Sequence, residues 1–200
     1  MEIAVITIDE ITIIRDGREI IYDYSEQIPA GSITVIVGEN GSGKSTLLSA
    51  IAGDFAPDKG TIRIDEHHPI LTPPAELAKI RAVAIQNQHF ALGFTVREVI
   101  EMAGPADEVM NRLALTELAD RVVTTLSGGE SQRVSIAQAI AQRTPVLLLD
   151  EPLAAQDAGS RKRIIELLTE LAHSGTTVVV VAHSNETELT WADKVIKQFL

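Results

Sequence analysis

The chain contains no cysteine among its 200 residues, which rules out disulfides and thiolate metal sites. Aromatic residues make up only 4% of it, so the core must be built from aliphatic side chains. No apolar run approaches the roughly 18 residues that cross a bilayer. Met1-Glu2-Ile3-Ala4-Val5 has neither the basic nor the apolar segment of a secretory leader. Together these omissions point to a soluble, intracellular chain that forms no channel by itself. Positive charge is also scarce: 17 Lys and Arg stand against 28 Asp and Glu, a formal net charge of −11. A surface so anionic is not drawn to nucleic acid or anionic lipid, and contact with a membrane is expected to run through a protein partner. Internal repeats, low-complexity tracts and long linkers are missing too. What remains is one domain's length of chain with a 45% hydrophobic content, enough to bury a sizeable core.

The most informative stretch is Gly38-Glu39-Asn40-Gly41-Ser42-Gly43-Lys44-Ser45-Thr46. It follows the apolar run Ile33–Val37, which reads as a buried strand, and precedes Leu47–Ala52, which reads as a helix. In that context GxxxxGK[ST] is a phosphate cradle. Gly38, Gly41 and Gly43 let backbone N–H groups converge on an anion, and the helix adds its positive end at the same point. Lys44 is placed to reach β- and γ-phosphates, and the Ser45 hydroxyl to ligate Mg²⁺. The residues alone therefore predict a nucleoside triphosphate site.

Ile3 to Ile28, with a turn at Asp16-Gly17, reads as an antiparallel hairpin or small β-layer ending at Pro29-Ala30-Gly31. Thr61–Asp65 alternates as a half-exposed strand. His67-His68-Pro69 has no third ligand nearby and reads as a solvated loop. Thr72 is expected to cap a helix with prolines in its first turn, and Ile80–Ile85 to form a short buried strand. Thr95-Val96-Arg97-Glu98 fits a capping box, and Gly104-Pro105 breaks the helix that follows it. Further helices are expected at Ala106–Leu115 and Thr116–Ala119, with Met102 and Met110 packed in the core. Ser131–Arg143 and Arg161–His173 read as longer helices. Val146–Leu149 and Thr176–Val181 read as buried parallel strands, the latter central. A short helix from Asn185 and a last strand at Lys194–Phe199 complete an α/β fold with a mainly parallel sheet.

A second anion cradle precedes the Ser131 helix: Leu126-Ser127-Gly128-Gly129-Glu130 supplies a hydroxyl, bare glycine N–H groups and a helix N-terminus. Leu126-Ser127-Gly128-Gly129-Glu130-Ser131-Gln132-Arg133, paired with Gly38–Thr46, resembles the signature motif of ABC-type ATPases. The resemblance covers essentially the whole chain. Val146–Glu151 resembles the Walker B strand, which implies that Asp150 holds Mg²⁺ through water and Glu151 polarises the attacking water. Pro152–Asp157 resembles the D-loop, with Asp157 its aspartate, and Val180–His183 resembles the switch strand, with His183 on the γ-phosphate. Gln86 and Gln88 both stand where the family has its Q-loop glutamine, a contact to ATP and Mg²⁺. Gln86 follows the strand directly and is the better match. At the position of the family's adenine-stacking aromatic stands Arg15, whose guanidinium plane is able to stack in its place.

The resemblance implies a P-loop NTPase core, 1–85 and 122–200, with an N-terminal β-layer and a short helical subdomain at 86–121. It implies an ATP hydrolase in which Lys44, Glu151 and His183 are catalytic. Glu39, Asn40, Ser42 and Thr46 complete the ATP loop, and Ser127, Gly128, Gly129, Glu130 and Asp157 act on the site of a second, head-to-tail copy. The segments Arg81–Val83 and Phe94–Val99 resemble importers of haem, iron-siderophore and cobalamin type, working with separate permease subunits at the inner face of the cell membrane. An exporter ATPase and a soluble ABC ATPase without a transport pore remain the alternatives.

Overall fold

The computed structural model describes residues 4–86, 93–183 and 189–197. Its elements are β1 (Ile6–Arg15), β2 (Arg18–Ile28), β3 (Ile33–Val37), α1 (Lys44–Ala52), β4 (Lys59–Ile64), α2 (Pro74–Ile80) and β5 (Arg81–Ala84). They continue with α3 (Val96–Glu101), α4 (Asp107–Arg112), α5 (Gly128–Ala141), β6 (Val146–Asp150), α6 (Ala158–His173), β7 (Thr177–Ala182) and β8 (Lys194–Lys197). Gln88 and the helix expected from Asn185 fall outside the described residues.

Two sheets organise the chain. The expected hairpin is β1 with β2, and β4 joins it to make a three-stranded antiparallel sheet in the order β2-β1-β4. The other sheet is parallel, in the order β5-β6-β7-β3-β8, with β7 at its centre. Its inner strands β3 and β7 are buried along their whole length and are apolar except for Thr34 and Thr177, because both faces are covered, whereas the edge strand β8 carries Lys194 and Lys197. Val35, Val37, Leu147, Leu149, Val178 and Val180 belong to the core shared with α3 to α6. Ile36, Leu148, Val179 and Val181 belong to the core shared with α1 and the antiparallel sheet.

β1 illustrates how the core sets local structure. Ile6 and Ile8 share one parity and Ile11 and Ile13 the other, yet all four are buried. Strict alternation would turn one pair to solvent. A bulge resolves the conflict: the register shifts between Ile8 and Ile11, and Glu10 takes a left-handed conformation at φ 47°. That extra residue re-phases the strand so that both pairs point inward.

The capping box at Thr95 forms as expected: Thr95 Oγ1 accepts from Glu98 N–H, and the Glu98 carboxylate accepts from Thr95 N–H at 2.8 Å. Four expectations need correction. Met102 lies just past the end of α3 and is 60% exposed, whereas Met110 is buried. Thr72 does not cap α2; its hydroxyl donates to His68 O at 2.9 Å, and Pro73 occupies the cap position. Thr116–Leu118 is a single 3-10 turn. Finally, α5 begins at Gly128, earlier than Ser131, so Ser127 is its N-cap and both glycines lie within its first turn.

Candidate active site

The phosphate loop leaves the C-terminal end of β3, between β7 and β8, the edge where α/β sheets bind ligands. Gly41 and Gly43 have φ values of 81° and 93°, conformations that β-carbon-bearing residues adopt at a cost. Lys44 opens α1 and is only 5% exposed. Its Nζ donates to the carbonyls of Gly38 and Glu39 at 2.8 Å each, which holds the ammonium in the mouth of the loop. Burial lowers the Lys44 pKa, while Glu151 and Asp150 pull it back upward. Ser42 Oγ is buried in the same cradle without a hydrogen-bond partner among the described residues. A β-carbon on Gly38 would stand 2.7 Å from it.

Two carboxylates meet this loop from the end of β6. Asp150 Oδ1 accepts from Ser45 Oγ at 3.2 Å. Burial raises the Asp150 pKa and the Ser45 hydroxyl lowers it, with burial the larger effect. Glu151 turns out of the strand at φ 51° and anchors its N–H on Val181 O at 3.0 Å. Its side chain is gripped on both oxygens: Gln86 Nε2 donates to Oε2 at 2.5 Å, and His183 Nε2 lies 2.5 Å from Oε1. A cavity of about 340 Å³ is lined by Arg15, Ile20, Asn40 to Thr46 in part, Glu151 and His183. The Arg15 guanidinium carbon sits 3.7 Å from the centre of the Phe55 ring, and Nη1 donates to Ile14 O.

Ser127–Glu130 and Asp157 do not line that cavity. They form a second cluster. Ser127 Oγ accepts from Glu130 N–H, and the Glu130 carboxylate accepts from Ser127 N–H at 2.7 Å, a complete capping box. These bonds hold the Glu130 pKa below the usual carboxylate range. The N–H groups of Gly128 and Gly129, in the first helical turn, have no acceptor within the helix. Asp157 caps α6 by accepting from Ser160 N–H at 2.9 Å. Of the two glycine-rich helix N-termini, that of α1 has a lysine and a carboxylate pair beside it, and that of α5 has its capping box.

The model of a family described as ABC transporter matches residues 21–154, about two thirds of the chain. The chain belongs to the ABC transporter family. This cassette is therefore an ATP-binding, ATP-hydrolysing P-loop protein. It is 38% identical over 202 residues to a hemin import ATP-binding protein of Rhodococcus jostii, spanning 94% of this chain and 69% of the relative. It is 37% identical to a cobalamin import ATP-binding protein of Halobacterium salinarum, spanning 90% of this chain and 49% of the relative. Among solved structures, a dimeric bacterial ABC transporter cassette superposes with a TM-score of 0.82 at 27% identity, spanning 96% of this chain and 94% of that one.

The structure brings together the residues expected around the phosphates: Gly38–Thr46, Asp150, Glu151, His183 and Arg15. Gln86 joins them through Glu151 and makes no hydrogen bond to Ser45 or Asp150. Sequence reasoning missed Phe55, which backs Arg15, and Ile20, which lines the cavity. Phe55 left one trace: in a chain poor in aromatics, it stands alone in the loop just after the phosphate-loop helix.

Proposed function

We propose that this cassette is the ATPase subunit of an importer for haem or a related metal chelate. In this reading it works as a head-to-tail homodimer docked on membrane-spanning permease subunits at the cytoplasmic face. The hemin and cobalamin import relatives support the cargo class, and the dimeric cassette supports the pairing. No helix among the described residues is long and apolar enough to cross a membrane, which is consistent with a separate permease.

The observation that carries the catalytic reading is the Glu151 carboxylate, held between Gln86 and His183 beside the Lys44 loop. The backbone of Gly38–Thr46 and the Lys44 ammonium bind the phosphates of ATP. Ser45 Oγ and Asp150 Oδ1 are hard oxygen donors 3.2 Å apart, and the buried carboxylate favours a countercharge, so this pair suits Mg²⁺. Held there, Mg²⁺ would supply charge neutralisation at the phosphates. Glu151 orients the attacking water for in-line displacement and takes up its proton. To do so, one carboxylate oxygen must be released by His183 or Gln86. His183 is then free to donate to the γ-phosphate, while Gln86 carries the motion into the helical subdomain, residues 86–121. Ser127, Gly128, Gly129, Glu130 and Asp157 close over the phosphates held by the second copy. Arg15, flattened on Phe55, offers its other face to the base.

Glu151→Gln tests the chemistry. General-base catalysis contributes about 10²–10⁴-fold, so phosphate release should fall by that factor while ATP binding persists. Turnover within tenfold of the unaltered chain removes Glu151 from the mechanism. Purification from native membranes tests the setting: recovery with permease subunits supports transport, and recovery with soluble partners alone overturns it.

A further inference from the structure

The loop that joins Glu151 to α6 is fastened to the signature turn of its own chain. Gln156 is a buried amide, 6% exposed, and uses both ends of its side chain. Nε2 donates to Gly129 O at 3.0 Å, and Oε1 accepts from Arg133 Nη1 at 3.0 Å. Arg133 also reaches Ser160 Oγ at 3.4 Å, and that hydroxyl donates to Asp157 Oδ2 at 2.9 Å. The backbones meet as well. Ala155, left-handed at φ 54°, directs its carbonyl at Gly129, where a β-carbon would stand 2.8 Å away. A left-handed alanine persists only where its surroundings over-determine it, and the Gln156 bonds lie immediately beside it.

We propose that Gln156 is a positioning residue that clips the 152–157 loop to the signature turn, so that both move as one body. This rests on the proposed head-to-tail arrangement, in which Ser127–Glu130 and Asp157 meet the phosphates of the second copy. Its amide has one donor end and one acceptor end, matched to a backbone carbonyl and a guanidinium. The Arg133 bond is charge-assisted, the stronger class. An apolar side chain of the same size would fill the space but lose both the bond to Gly129 O and the charge-assisted bond from Arg133, which keeps only its longer contact to Ser160 Oγ. The same clip reaches catalysis. Ala154 N–H donates to Glu151 O at 3.1 Å, so the loop that Gln156 holds begins at the carboxylate gripped by Gln86 and His183. Engagement of the signature turn by the second copy's phosphates is thereby passed along five residues to the Glu151 backbone of the same chain.

The test uses the full chain with Glu151→Gln as parent, which slows turnover so that the ATP-bound dimer is measurable. Two quantities are read with Mg²⁺ and ATP. One is the dimer Kd by sedimentation velocity; the other is the monomer Kd for ATP at protein concentrations below dimerisation. Gln156→Leu is expected to raise the dimer Kd about tenfold and leave the monomer Kd within about twofold. Gln156→Glu keeps the acceptor for Arg133 and loses the donor to Gly129 O, and an intermediate rise of about threefold is expected. If Gln156→Leu is unfolded at the assay temperature, Gln156→Glu decides the matter by itself. A dimer Kd equal to the parent's overturns the clip, as does an equal weakening of both steps, which marks a purely structural amide. If the parent binds ATP but never dimerises, the head-to-tail reading fails first and the clip falls with it.

Discussion

Gly104 offers a quantitative test of how the α3–α4 connection sits on α5. A β-carbon built on it would lie 2.1 Å from Ala141 O and 3.0 Å from the carbonyl carbon. Two effects of Gly104→Ala oppose each other. Alanine narrows the unfolded ensemble, which stabilises by about 0.4–1 kcal/mol where the backbone conformation is compatible, and Gly104 is not in the left-handed region. Against this stands overpacking, typically 1–3 kcal/mol. The obstructing atom is helix backbone, which has no rotamer to escape into, so the upper part of that range applies. The balance is a net loss of about 2 kcal/mol. For a chain of this size each kcal/mol lowers Tm by about 2–4 °C, so a drop of about 4–8 °C is expected. The urea midpoint should fall with an unchanged slope, the mark of altered stability without altered exposure. Gly93→Ala is the matched control, since nothing lies within 4 Å of its added carbon; it should be neutral or slightly stabilising. A Gly104→Ala chain as stable as the unaltered one would refute the claimed close approach.

Two further predictions concern the site. Because burial raises the Asp150 pKa and only the ionised carboxylate ligates a cation, protons compete with Mg²⁺. Mg²⁺-dependent nucleotide binding should therefore weaken as pH falls through a value above the usual aspartate range. Asp150→Asn should abolish that dependence, and a Mg²⁺ titration that is flat from neutral to mildly acidic pH would contradict the assignment. Phe55→Ala removes the ring under Arg15, a cation–π contact worth about 0.5–1 kcal/mol at an exposed site. The preference for ATP over inorganic triphosphate should fall about two- to fivefold, and Arg15→Tyr should retain it. An unchanged preference in Phe55→Ala would rule out Arg15 as the base platform.

Much of the site was legible because its chemistry is local in the chain. The Gly38–Thr46 loop and the Thr95 capping box consist of residues within a few positions of each other, so spacing specifies them. The roles of Asp150 and Glu151 came through the family resemblance, and the capping box at Ser127 went unread because the helix was expected to start at Ser131. What resisted reading was tertiary. Alternation in β1 could not reveal the bulge at Glu10, because a re-phased strand looks like two competing parities. Gly104 reads as a helix breaker beside a proline, whereas the structure uses it for contact with Ala141, far along the chain. Met102 carries an apolar side chain at helical spacing, but α3 ends one residue earlier and leaves it outside. Phe55 and Gln156 each act on partners 40 and 27 residues away in Arg15 and Gly129, a distance at which no pattern points from one to the other.

The position of β3 has a consequence for how the protein is made. This strand is complete at Val37, yet its neighbours in the sheet are β7 and β8, which begin at Thr177 and Lys194. Thr177 lies 140 positions after Val37, a stretch that takes about 7–28 s to synthesise at 5–20 residues per second. For that interval Ile-Thr-Val-Ile-Val is an unpaired strand, apolar but for Thr34, on a nascent chain, and the glycine loop after it has no frame to hold its N–H groups together. The cradle for phosphate is among the first parts translated and among the last to be formed. A newly made copy thus lacks the frame for its phosphate loop until β7 and β8 have emerged.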